Sequence, residues 1–117
     1  MIPKDELHRP RYSVGQVAEM LRTRRRFLHR LDRYELVRPR RTPGGHRRYS
    51  HHELGRIRRI IQLADEGMTL TAIRHIMALE KRVRELQAQC DAAWQRLAEL
   101  EPRPVIPRMR RERVPPI

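Results

Sequence analysis

Apolar residues recur at helical spacing in successive short stretches of the chain, separated by polar or proline-containing segments. Val14, Val17, Ala18 and Leu21 line one face of a short helix. Ser13 and Gln16 ahead of them have the spacing of a capping box, in which each side chain satisfies a backbone N–H of the other residue. A second short helix from Thr23 turns Phe27, Leu28 and Leu31 inward and carries Arg25, Arg26, His29, Arg30 and Arg33 on its other face. Two short helices joined by a tight turn have the form of a helix-turn-helix.

Residues 35–50 break the helical period. Leu36-Val37 is a short apolar anchor, and Pro39 stops any continuing helix. Pro43-Gly44-Gly45 signals a turn flanked by Arg40, Arg41, His46, Arg47 and Arg48, which predicts a β-hairpin wing with an unobstructed tip. Ser50 and Glu53 form a second capping box and open a third helix, with Leu54, Ile57, Ile60, Ile61 and Ala64 on its apolar stripe and Gly67 closing it. Thr69 starts a fourth helix carrying Leu70, Ile73, Ile76 and Met77. From Ile76, the residues Leu79, Val83, Leu86, Cys90, Ala93, Leu97 and Leu100 alternate at spacings of three and four, an unbroken heptad seam. Such a stripe packs either on its own domain or on the same helix of a second chain; the short segment ahead of it favours a homodimer, with strand direction left open.

The resulting architecture is mainly α: a flexible lead (1–10), a winged helix-turn-helix with two further helices (11–77), a dimerisation coiled-coil helix (78–101) and a basic Pro/Arg-rich tail (102–117) expected to be disordered. At 117 residues with 38% hydrophobic and 4% aromatic content, the chain has little material for a deep substrate pocket. No apolar run approaches the ~20 residues that span a bilayer, and no signal-peptide pattern opens the chain, so a cytoplasmic location and no membrane partner are expected.

Charge sharpens this reading. The formal net charge is +13, and residues 1–50 hold 14 Lys/Arg against 5 Asp/Glu, whereas residues 51–101 hold 8 of each. Like charges concentrated on a small domain repel, so the block points to a polyanionic partner, nucleic acid before an anionic membrane surface. The basic residues are Arg except for Lys4 and Lys81. Arg suits bidentate contact with phosphate and guanine, although GC-rich coding bias also enriches it. The arginines of the second helix either read DNA or coat an exposed face. In the wing, Gly44 and Gly45 let the tip approach a backbone, Arg41, His46, Arg47 and Arg48 supply charge, and Tyr49 either bonds a phosphate or packs the hairpin.

Other chemistry is thin. The one cysteine, Cys90, is a small core hydrophobe or, in an antiparallel pair, a redox clip. His46, His51 and His52 cluster in sequence, but no second cluster completes the four ligands of a zinc site, so no metal or cofactor is expected. No nucleophile–base set or phosphate loop supports an enzyme.

Four motifs occur in order: Tyr12-Ser13-Val14-Gly15-Gln16-Val17-Ala18, Leu28-His29-Arg30-Leu31-Asp32-Arg33, Arg41-Thr42-Pro43-Gly44-Gly45-His46-Arg47-Arg48-Tyr49-Ser50 and Gly67-Met68-Thr69-Leu70-Thr71-Ala72-Ile73. Together they resemble the MerR family of bacterial transcription regulators over roughly residues 11–100, and most of all its short heat-shock repressor type, which also lacks a large effector domain. The resemblance implies a homodimer on a near-palindromic promoter site in double-stranded DNA, with the bent and untwisted promoter presented to RNA polymerase. RNA polymerase or a regulatory protein is then a further candidate partner. The family usually has Gly where this chain has Arg22 and Glu35, Ser-Pro where Arg24-Arg25 stand, and an aromatic pair where Arg30-Leu31 stand. An excisionase-like architectural factor and a basic RNA-binding or assembly protein are the competing readings.

Overall fold

The computed structural model describes residues 3–100, so the expected basic tail at 102–117 lies outside it. The chain divides into two units, residues 1–78 and residues 79 onward.

The first unit opens with a single helical turn, α1 (Lys4–Leu7), where an irregular lead was expected; it packs against α4 (His51–Asp65). Strand β1 (Tyr12–Ser13) leads directly into α2 (Val14–Met20), which α3 (Arg25–Arg33) follows. Strands β2 (Arg40–Arg41) and β3 (Arg47–Tyr49) form the expected hairpin, and α5 (Leu70–Leu100) follows α4. The hairpin is two-thirds of a three-stranded antiparallel sheet of order β1-β3-β2, in which Tyr12 faces Tyr49, Ser13 and Arg40 flank Arg48, and Arg41 faces Arg47. A two-residue strand such as β1 leaves no periodicity to read, so only its pairing reveals it.

Both capping boxes form. Ser13 Oγ accepts from the Gln16 amide at 3.1 Å and Gln16 Oε1 accepts from the Ser13 amide at 2.8 Å. Ser50 and Glu53 reproduce the arrangement at 3.2 and 2.8 Å. Helix α3 begins at Arg25, not Thr23, because the Thr23 amide closes α2 by donating to the Ala18 carbonyl at 2.9 Å. That bond and the Arg22 amide to Glu19 carbonyl bond make a Schellman motif, which needs its C′ residue in the left-handed region. The same pair of bonds ends α3 (Leu36 to Leu31, Glu35 to Asp32) and α4 (Met68 to Leu63, Gly67 to Ala64). The three C′ residues, Arg22, Glu35 and Gly67, have φ of 53°, 60° and 94°.

The core assembles the expected apolar faces: Val17 and Ala18 of α2, Leu28 and Leu31 of α3, Leu36 and Val37, Leu54, Ile57 and Ile60 of α4, and Leu70 and Ile73 of α5. Leu63 and Tyr49 join them; Phe27, Ile61, Ala64, Ile76 and Met77 are partly buried against this cluster.

The fourth helix and the heptad segment, expected as separate elements, are one continuous helix of 31 residues. No proline or glycine lies between Leu70 and Leu100 to interrupt the backbone hydrogen-bond ladder. In the second unit the seam residues Leu79, Val83, Leu86, Cys90, Ala93, Leu97 and Leu100 are all exposed, as is Trp94 beside them.

Candidate nucleic-acid interface

Helix α3 turns Leu28 and Leu31 into the core, and the helical period then places Arg25, Arg26, Arg30 and Arg33 in solvent. None of these four makes an ion pair among the described residues, so their charge is available to a ligand. His29 is half-buried, and its imidazole is held below the usual histidine range, first by burial and then by the Arg47 guanidinium, with Asp32 opposing.

A groove of about 480 Å³ runs between the start of α2, α3 and the hairpin, lined by Ser13, Gly15, Arg25, His29, His46 and Arg48 among others. Gly15 makes room for the Arg25 guanidinium: a Cβ there would lie 2.6 Å from its Nη2. A second cleft of about 490 Å³ lies beside α3, with Phe27, Ile61 and Ala64 on its floor and Arg22, Arg24, Arg26, Arg30 and Asp65 around it.

The hairpin tip is a Thr42-Pro43-Gly44-Gly45 turn closed by the Gly45 amide donating to the Thr42 carbonyl at 2.8 Å. Gly45 alone takes a positive φ, 87°, so the two glycines are not equivalent: Gly45 meets a backbone requirement, and Gly44 provides a slim tip. His46 is exposed at the tip and Arg48 half-buried on β3.

Three hairpin residues, Tyr49, Arg47 and Arg41, make their contacts within the protein. Tyr49 is 1% exposed and its buried hydroxyl has no hydrogen-bond partner among the described residues. The phenol therefore packs the hairpin onto the core, because β3 alternates its side chains and Tyr49 falls on the inner face. Burial pushes its pKa up to about 12. Arg47, half-buried, and Arg41, exposed, are both tied to α3: Arg47 Nε donates to Asp32 Oδ2 at 2.8 Å, and Arg41 Nη2 to the same oxygen at 3.4 Å. Arg41 Nη1 also donates to the Gly45 carbonyl at 3.1 Å.

Sequence reasoning did not single out Asp32 or Gly15 for these roles. Asp32 had one signal, being the sole acidic residue between Glu19 and Glu35 in a strongly basic run. Gly15 had none, since only the approach of α3 to α2 gives its missing side chain a purpose. Of the clustered histidines, His51 Nε2 lies 3.1 Å from the Tyr12 hydroxyl and His52 packs its ring on His8 at 4.7 Å. Among the described residues no group of three or more His, Cys, Asp or Glu side chains could hold a metal ion, and no helix is long and apolar enough to cross a membrane.

Comparison with known proteins places this geometry. The chain is 40% identical over 81 residues to a putative heat shock protein HspR of Streptomyces coelicolor, an alignment covering 68% of this chain and 54% of that protein, so it spans about half the relative's length. Among solved structures, a MerR-family transcriptional regulator from Bacillus cereus matches with a TM-score of 0.54 at 24% identity, covering 76% of this chain and 73% of that one. The N-terminal part of the Bacillus subtilis multidrug transporter activator, MtaN, matches at 0.53 and 25% identity, covering 76% and 96%. HiNmlR, a MerR-family regulator lacking the sensor domain and bound to promoter DNA, matches at 0.53 and 22% identity, covering 76% and 74%. The model of the MerR HTH family of regulatory proteins matches residues 12–80, which hold α2, α3, the hairpin and α4, and the chain belongs to that family.

Proposed function

We propose that the chain is a sequence-specific DNA-binding transcriptional regulator that acts as a homodimer on a near-palindromic promoter site. The observation that carries this reading is the set of four arginines, Arg25, Arg26, Arg30 and Arg33, on the solvent side of α3 with no ion pair among the described residues. With α2 and α3 as the helix-turn-helix and the hairpin as its wing, α3 enters the major groove and these side chains reach phosphates and base edges. Each bidentate Arg–guanine pair discriminates by ~1–3 kcal/mol. The hairpin rides on the sugar-phosphate backbone, its glycine tip allowing close approach.

The heptad seam of α5 supports the dimer. Leu79, Val83, Leu86, Leu97 and Leu100 are between 47% and 73% exposed, a cost that pairing with a second copy removes. A two-fold pair of reading helices matches an inverted repeat, and bending and untwisting of the promoter between half-sites would alter its engagement by RNA polymerase. A DNA-bound relative with the same fold is consistent with this use of the scaffold.

Selection of bound sequences from a random duplex library at ~150 mM salt tests the reading, because that salt suppresses non-specific phosphate binding. Recovery of one inverted-repeat motif is expected. Tight binding without a motif would overturn sequence-specific regulation in favour of an architectural or RNA-binding role.

A further inference from the structure

Two cross-strand arginine pairs lie side by side in the hairpin, Arg40 opposite Arg48 and Arg41 opposite Arg47. Like charges directly opposite on an antiparallel pair destabilise it unless an anion sits between them. The strand alternation sends the two pairs to opposite faces of the sheet. On the inner face the anion is supplied by the protein: Asp32 of α3 accepts from both Arg47 and Arg41, and the three side chains are 16%, 23% and 50% exposed respectively. Arg41 carries the connection on to the hairpin tip through the Gly45 carbonyl. Arg40, exposed on β2, and Arg48, half-buried at the groove beside α2 and α3, have no acidic partner among the described residues.

We propose that Asp32 is a positioning residue for DNA recognition, fixing the wing on α3 while keeping Arg41 and Arg47 away from phosphates, so that Arg40 and Arg48 are the wing's backbone contacts. This rests on the DNA-binding reading above. One carboxylate serves two ends. It sets the distance between the reading helix and the wing, which a sequence reader needs in order to hold base contacts in register. It also withholds two cations from the sequence-independent electrostatic term that dominates non-specific affinity. The chain thereby gives up general affinity and gains discrimination.

The test compares wild type with D32N, D32E and R40Q on the duplex recovered by selection and on a scrambled duplex of equal length, each across a salt series. Amide hydrogen exchange of residues 42–46 is followed in the DNA-free proteins. Asp32→Asn removes the charge with little change of shape. Its expected signature is faster exchange at the hairpin tip, a salt slope steeper by about 1 for each freed arginine that reaches a phosphate, so by about 2 for both, and roughly tenfold less discrimination between the two duplexes. Asp32→Glu retains the charge and should restore the wild-type slope; if D32N fails to fold, an unchanged slope in R40Q overturns the proposal in its place. Arg40→Gln should flatten the slope by about 1 for both duplexes alike. A folded D32N with the slope and discrimination of wild type overturns the proposal, as does D32E behaving like D32N. Unchanged exchange at residues 42–46 shows that Asp32 does not hold the wing, and overturns it independently of DNA. Wild type that binds both duplexes equally overturns the regulatory reading and the discrimination argument with it, while the exchange measurement still shows whether the latch exists.

Discussion

Tyr49 and Gly15 show how a single position acquires its meaning from its neighbours. The Tyr49 hydroxyl is buried with no partner among the described residues, so the fold bears its desolvation without a compensating bond there. Tyr49→Phe should therefore leave stability unchanged or raise it at neutral pH, as thermal unfolding would show. Alkaline behaviour gives a second test. In the folded protein the phenol keeps its proton up to about pH 12, whereas the unfolded chain loses it near 10. Between those values the unfolded state binds fewer protons than the folded one, so stability falls as pH rises, by about 1.4 kcal/mol per unit from this group alone. Y49F should remove that component of the alkaline loss. Gly15→Ala is expected to affect function and not folding. The new Cβ would meet only the far end of the Arg25 side chain, which can swing aside, and alanine is the better helix former. The variant should melt at or above the wild-type temperature, yet bind its selected duplex several-fold more weakly through the displaced guanidinium; unchanged affinity would remove Arg25 from the reading set.

At the scale of elements, the three Schellman endings explain where α2, α3 and α4 stop. The residue in the left-handed region is glycine only at Gly67, while Arg22 and Glu35 hold φ of 53° and 60°. A side chain there costs roughly 1–2 kcal/mol, partly offset by the greater chain entropy that glycine loses on folding. Glu35→Gly should stabilise the first unit by about 0.5–1 kcal/mol, read as a rise of a few degrees in melting temperature. A fall would mean that Glu35 makes a contact outweighing the strain. The departures of Arg22 and Glu35 from the family's usual glycine were visible in the sequence, and their conformational consequence was not. Gly67 announced its ending through the residue itself, but at Arg22 and Glu35 nothing in the one-dimensional pattern shows a motif requiring positive φ until the closing bonds are seen. Capping boxes differ, since their partners lie three residues apart and their geometry is local; both were legible in advance.

For the whole molecule the exposed seam of α5 is the decisive feature. Leu86 is 47% exposed in the single chain, so a charge there disrupts little packing among the described residues. Under the dimer reading, Leu86→Glu would place a carboxylate in the interhelical seam of both copies. Sedimentation should show a dimer for wild type and a monomer for L86E, with the first unit's circular dichroism retained. Affinity for an inverted-repeat duplex should fall steeply, because two linked half-site contacts become one. A dimeric L86E would exclude this seam as the interface.

The heptads, the two capping boxes, the apolar faces of four helices, the glycine-tipped hairpin and the cationic face of α3 could be read from residue order, because each depends on contacts within a few positions along the chain. Residue order also carried the family's motifs. Which arginines remain free could not be read that way. Arg41, Arg47 and Arg48 look alike in the run 40–48, and only the pairing of β2 with β3 against α3 gives two of them Asp32 and leaves Arg48 beside Arg40. The inward turn of Tyr49, the space over Gly15 and the joining of β1 to the sheet have the same origin. They arise where segments distant in sequence meet, and burial and charge pairing at such meetings are set by three-dimensional packing, which local periodicity does not encode.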